Sequence, residues 1–119
     1  MTPMSEFIFL YRKPSRPAEN LSPKQIEERT GRFKAWVEKL QKGGHLVSLG
    51  QPFADTGGGV VRDAKGTVTD GPYAETKDIV IGYSVIAAKD FAEAVRLTEG
   101  LPILDDEGGM VEVRPILNM

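Results

Sequence analysis

Two segments with a helical period, set among six that read as strands, limit what this chain can fold into, because two helices cannot cover both faces of a sheet. The first helix has a well-marked start. Ser22 caps, Pro23 takes the first helical position where its missing N–H costs nothing, and Gln25 completes a Ser-x-x-Gln capping box. Ile26, Phe33, Trp36, Val37 and Leu40 then recur at spacings of three, four and seven, which puts them on one apolar stripe with Trp36 in the core. Acidic residues open this helix, basic ones close it as the macrodipole prefers, and Gly43-Gly44 ends it. Asp90 starts the second helix as a carboxylate cap with Glu93 three residues on, and Phe91, Ala94, Val95 and Thr98 form its expected buried face. Gly100 and Pro102 terminate it.

The strands fall around these helices. Glu6 to Tyr11 is a short apolar and aromatic run stopped by Arg12-Lys13-Pro14, and the polar, proline-bearing stretch Lys13 to Leu21 reads as a loop. His45 to Leu49 reads as a second strand, and Val60 to Thr69 as a hairpin turning through Asp63 to Gly66. Ile79 to Ile86, rich in β-branched residues, is the central-strand candidate, with Gly82 marking a close approach. Met110 to Ile116 alternates and ends near an edge at Pro115. The order strand, helix, strand, hairpin, strand, helix, strand predicts an α+β domain over residues 1–119, with an antiparallel sheet and both helices on one face. The uncovered face predicts a homodimer.

Composition removes several functions. Against 17 Asp and Glu stand 15 Lys and Arg, a net charge of −2, so no electropositive surplus is present for direct nucleic-acid binding. No apolar run reaches the ~20 residues of a membrane span, and no signal-peptide pattern opens the chain, so a cytoplasmic protein is expected. With no Cys and one His, thiol chemistry and a multi-histidine metal site are excluded, and no cofactor is implied. Gly57-Gly58-Gly59 precedes a strand rather than a helix and reads as a loop, not a phosphate cradle. Asp105-Asp106-Glu107 lacks calcium-loop spacing and reads as a solvated turn.

The stretch Val68 to Asp78, with Asp70-Gly71-Pro72-Tyr73-Ala74-Glu75-Thr76-Lys77 at its heart, resembles the signature of the YCII-related family. The branch it resembles is named for Asp-Gly-Pro-Phe, followed there by Ala-Glu-Thr-Lys-Glu; Tyr73 stands here for the Phe and Asp78 for the Glu. Gly82-Tyr83, the Ala-rich helix after Asp90, Pro102 and Val111 to Pro115 extend the similarity over nearly the whole chain. The resemblance implies a ferredoxin-like domain that pairs through its sheets into a dimeric α/β barrel. Better studied relatives are proposed to use a His-Asp pair with the His near the start of the first helix. Arg29 and Thr30 stand there in this chain, so that pair is not carried over.

Asp70 is the first candidate for chemistry. Its carboxylate either fixes the turn by accepting backbone N–H bonds or, on rigid backbone beside a dimer cleft, accepts a proton or a ligand hydrogen bond. Tyr73, Glu75, Lys77 and Arg114 are ligand-binding candidates, Glu75 and Lys77 sharing one face of extended backbone. Glu112 and Arg114 point to the same side of the last strand, as a cross-dimer ion pair or a cavity-lining pair. His45 is the second catalytic candidate; it needs an orienting carboxylate that the sequence does not identify. These residues point to a homodimeric domain that binds a small molecule, with enzymatic chemistry open. The resemblance brings two alternatives: an accessory protein partnered with a sigma factor in transcription initiation, and a structural dimer without chemistry.

Overall fold

The computed structural model describes residues 3–14, 21–54, 59–70 and 78–117, without the side chains of Thr69 and Asp70. In chain order the elements are β1 (Ser5–Pro14), α1 (Pro23–Lys42), β2 (Leu46–Ser48), β3 (Val60–Arg62), β4 (Val68–Asp70), β5 (Asp78–Ala88), α2 (Phe91–Arg96), a 3-10 turn (Pro102–Asp105) and β6 (Met110–Pro115). Four strands form one antiparallel sheet in the order β2-β5-β1-β6, and β3 pairs with β4 in a separate hairpin. The four-strand order with its two crossover helices is the ferredoxin-like arrangement, the hairpin being inserted between the second and third sheet strands.

The period-2 alternation of β1 divides the sheet into two faces. Phe7 and Phe9, opposite Ile86 and Ser84, turn toward the helices and are buried, and Tyr11 follows them over Gly82. Ile8 and Leu10, opposite Val85 and Tyr83, turn the other way and are half-buried. Trp36 and Leu40 of α1, Ala94 of α2, and Leu101 and Ile103 beyond it close the core over the first face. Trp36 stacks on Phe33 at 5.8 Å, and its indole N–H donates to the Leu97 carbonyl at 2.8 Å, so the largest core side chain leaves no orphan donor.

The predicted capping box forms: Ser22 Oγ accepts from the Gln25 N–H, and Gln25 Oε1 accepts from the Ser22 N–H. The first turn of α1 carries no acidic residue, contrary to expectation, since Glu27 and Glu28 lie one turn further in. Ile26 is 52% exposed because the core packing of α1 is concentrated at Phe33, Trp36, Val37 and Leu40 in its later turns. On α2 the expected face is only partly right: Ala94 is buried, Phe91 and Val95 are about half exposed, and Leu97 packs on the core instead. Phe91 still meets Phe7 edge-on at 5.9 Å. The hairpin stands on its own ladder, with Asp63 Oδ1 accepting from the N–H groups of Lys65 and Thr67 at its turn. Val60, Val61 and Val68 on it are 48–63% exposed.

After β2 the chain kinks at Gly50, whose φ is +74°, and residues 51–53 rejoin β5. Phe53 N–H donates to the Ile81 carbonyl at 2.8 Å, and Pro52 bridges to Gly82. A Cβ on Gly82 would lie 3.1 Å from the Gln51 carbonyl oxygen and 3.3 Å from Pro52 Cα, which is the close approach expected of that glycine.

Two glycines set opposite expectations for stability. Gly31 lies mid-helix in α1 with open space where a Cβ would go, so Gly31→Ala raises unfolding free energy by about 0.5–1 kcal/mol. At Gly50 a Cβ would sit 1.8 Å from the Tyr83 carbonyl oxygen on left-handed backbone, so Gly50→Ala lowers it by more than about 1 kcal/mol. Urea unfolding of both variants against the parent checks the pair.

Candidate functional site

A cleft of about 640 Å³ opens where the kinked segment, the sheet and α1 meet. Its floor is the core-facing side of β1 and β5 at Tyr11, Ile81 and Gly82. One wall is α1 at Arg29, Thr30 and Phe33, a second is the segment from Leu49 to Pro52, and the third is Leu101 to Ile103 at the start of the 3-10 turn. The volume falls in the range of small-molecule pockets, roughly 300–1,000 Å³, and the described walls are mostly apolar.

Two polar devices stand in this apolar setting. Tyr11 Oη donates to Ser84 Oγ at 2.7 Å, and Ser84 Oγ donates to the Leu49 carbonyl at 2.7 Å. A carbonyl only accepts, so Ser84 spends its one proton on Leu49 and Tyr11 must supply the proton of the other bond. Ser84 has no exposed surface and both of its bonds are made, so the chain ties the kinked wall to the sheet without an orphaned polar atom. Burial raises the Tyr11 pKa above its ordinary value of 10.0.

The second device is a clasp between α1 and the chain after the 3-10 turn. Arg29 donates from both terminal nitrogens to the two Asp106 carboxylate oxygens, at 2.6 and 2.8 Å, and Arg32 pairs with Asp105 one helical turn away. Asp105 and Asp106 are thus not the merely solvated turn that their spacing suggested: they hold the third wall of the cleft against α1. No sequence motif announces this, because the partners are separated by 77 and 73 positions.

The sequence candidates distribute unevenly over this frame. Asp70 is the last residue of β4, its backbone paired with Val60. Tyr73, Glu75 and Lys77 lie outside the described residues, as does most of the Gly57-Gly58-Gly59 stretch. His45 is not in the cleft lining: its carbonyl pairs with Ala87, five residues along β5 from Gly82, roughly 17 Å of strand. Its Nδ1 lies 2.7 Å from the Ala87 carbonyl and 3.9 Å from Glu93 Oε1, a carboxylate that the sequence alone did not connect to it. Glu93 Oε1 also accepts the Lys89 N–H at 3.0 Å, so the pair belongs to the cap of α2. Glu112 and Arg114 do share a face, the one away from the helices, where Glu112 accepts from Arg12 at 2.6 Å and lies 3.8 Å from Arg114 Nε. Tyr11, Arg29 and Ser84 escaped sequence reading. Among the described residues no group of three potential metal ligands occurs, and no helix is long and apolar enough to cross a membrane.

Because Tyr11 titrates higher folded than unfolded, the folded state holds its proton after the unfolded chain has begun to lose it. Its contribution is therefore complete below about pH 10 and is lost as pH rises through the folded pKa. Tyr11→Phe is expected to flatten the alkaline fall in urea-derived stability relative to the parent while leaving the neutral-to-acid profile parallel. An identical alkaline profile in the two proteins contradicts the assignment.

Two comparisons with known proteins match most of the chain. The chain is 30% identical over 96 residues to an uncharacterized protein of Rhizobium meliloti, the match covering 78% of this chain and 77% of the other. The model of the YCII-related domain matches residues 7–119, from the core-facing Phe7 of β1 to the end of the chain, and on that match the protein belongs to the YCII-related family.

Proposed function

We propose that this YCII-related domain binds a small organic molecule in the cleft between α1, the kinked segment after β2 and the sheet, and does so as a homodimer with all 119 residues in one domain. The observation that carries the reading is the cleft itself: about 640 Å³ of mostly apolar space whose walls are tied in place by the Tyr11–Ser84–Leu49 chain and the Arg29–Asp106 pair. Apolar walls of this extent are better matched by an apolar ligand than by water.

Asp70, Tyr73, Glu75 and Lys77 are proposed to supply polar contacts to the ligand, with Asp70 the group to accept a proton if the bound molecule reacts. Chain continuity supports this assignment, since β5 begins at Asp78 and carries Ile81 and Gly82 into the cleft three and four residues later. His45 is proposed only for a reaction at the far end of β5, away from this cleft, where Glu93 is the nearest carboxylate partner.

The second copy is proposed to cover the open sheet face. Ile8, Leu10, Val85 and Ala87 form its apolar centre, and Arg12, Glu112 and Arg114 its charged margin. The Arg114 side chain is 66% exposed on this face, so its donors are open to a partner.

A thermal-shift screen of metabolites, run on the parent and on Thr30→Trp, tests the cleft. A true ligand at ten times its Kd contributes about 1.4 kcal/mol, or about 5 °C, to the parent. The bulky side chain on the exposed lining position Thr30 removes that shift. No ligand, or shifts that persist in Thr30→Trp, contradicts the reading. Light scattering of Leu10→Asp tests the dimer: a folded monomer is expected from a dimeric parent, and a monomeric parent overturns the proposal.

A further inference from the structure

We infer that the molecule held in this cleft is uncharged, carries a flat ring, and donates a hydrogen bond to the oxygen of Tyr11. The inference rests on the small-molecule reading and names its chemistry. Flatness follows from the walls, where the rings of Tyr11 and Phe33 and the faces of Pro52 and Pro102 line the space beside the side-chain-free positions Gly50 and Gly82. Stacked or edge-on rings use such surfaces better than branched chains do.

The charge follows from the titratable groups. Arg29 is the one charged side chain among the described lining residues, and Asp106 already matches it through two hydrogen bonds. A ligand carboxylate or ammonium held between the described walls would leave water without gaining an uncompensated countercharge from them, and of the proposed polar contacts Glu75 and Lys77 offset each other while Asp70 accepts a proton, which an uncharged O–H or N–H supplies.

The direction of the hydrogen bond follows from proton accounting. The Leu49 carbonyl takes the Ser84 proton, so Ser84 takes the Tyr11 proton, and Tyr11 is left with a lone pair and no hydrogen to offer. A phenol is protonated at neutral pH, so Tyr11 keeps this proton to give and the direction does not reverse. The cleft therefore distinguishes a hydroxyl or N–H from an ether or a bare carbonyl at that point.

Isothermal titration of the full chain at neutral pH with 2-naphthol, 2-methoxynaphthalene and 2-naphthoate tests all three features. The naphthol is expected to bind about tenfold tighter than its methyl ether and at least about tenfold tighter than the carboxylate. In Tyr11→Phe the advantage over the ether falls to within about twofold, through weaker naphthol binding alone. In Ser84→Ala, where the Tyr11 proton is released from Ser84, the ether gains instead. Tightest binding by the carboxylate overturns the uncharged class while leaving small-molecule binding intact. Equal binding of naphthol and ether, or an advantage that survives Tyr11→Phe, overturns the Tyr11 acceptor. Binding of none of the three overturns the ligand class, and the binding reading then stands or falls on the metabolite screen with Thr30→Trp.

Discussion

The antiparallel pairing of β1 with β5 is the constraint on which the rest of this molecule depends. Its register sets Phe7 against Ile86, Phe9 against Ser84 and Tyr11 against Gly82, and a one-residue slip would turn Phe7 and Phe9 away from α1 and Trp36. The same register brings the Tyr11 ring to rest over a residue without a side chain, with Tyr11 Cδ2 3.5 Å from where a Gly82 Cβ would be. Pro52 bridges to that glycine from the other side. Directly after, between Tyr11 and Arg12, the ladder shifts by one residue, so the sheet loses its regular pairing at the cleft floor.

Function and stability are coupled at this end of the sheet. Among the described residues Ser84 is the one polar residue in the buried core, and a hydroxyl there is tolerated because both of its hydrogen bonds are made. Those bonds fix the kinked segment that forms a cleft wall, while the Arg29–Asp106 clasp fixes the wall opposite. A mostly apolar pocket held open from two sides by satisfied polar contacts is preorganised, so binding needs little ordering of the protein.

Local signals were legible in the sequence and long-range ones were not. Ser22 and Gln25 act within three residues of each other, and the box they form was readable because helix capping is local chemistry. Trp36 in the core and the shared face of Glu112 and Arg114 followed from periodicity, the hairpin from its turn residues and Gly82 from a glycine set inside a strand. The acidic start of α1 and the burial of Ile26 did not hold, since a period says which residues share a face but not how much of the helix the sheet reaches. For the site, the sequence drew attention to a polar signature, whereas the cleft is built by Tyr11, Arg29 and Ser84 through contacts spanning 35 to 77 positions. Nothing local marks Arg29 as the partner of Asp106, or Glu93 as the carboxylate beside His45; only the closed fold brings them together.

The account turns on one claim, that the end of the sheet at Tyr11 and Gly82 receives a ligand. Amide chemical shifts of the isotope-labelled protein, followed as 2-naphthol is added, test it directly. The account predicts saturable shifts concentrated at Thr30, Gly50, Gln51, Gly82 and Ile103, with His45 and Ala87 at the far end of β5 unmoved. Saturable shifts centred on Ile8, Leu10 and Val85 of the open face, with the cleft residues unmoved, would contradict it.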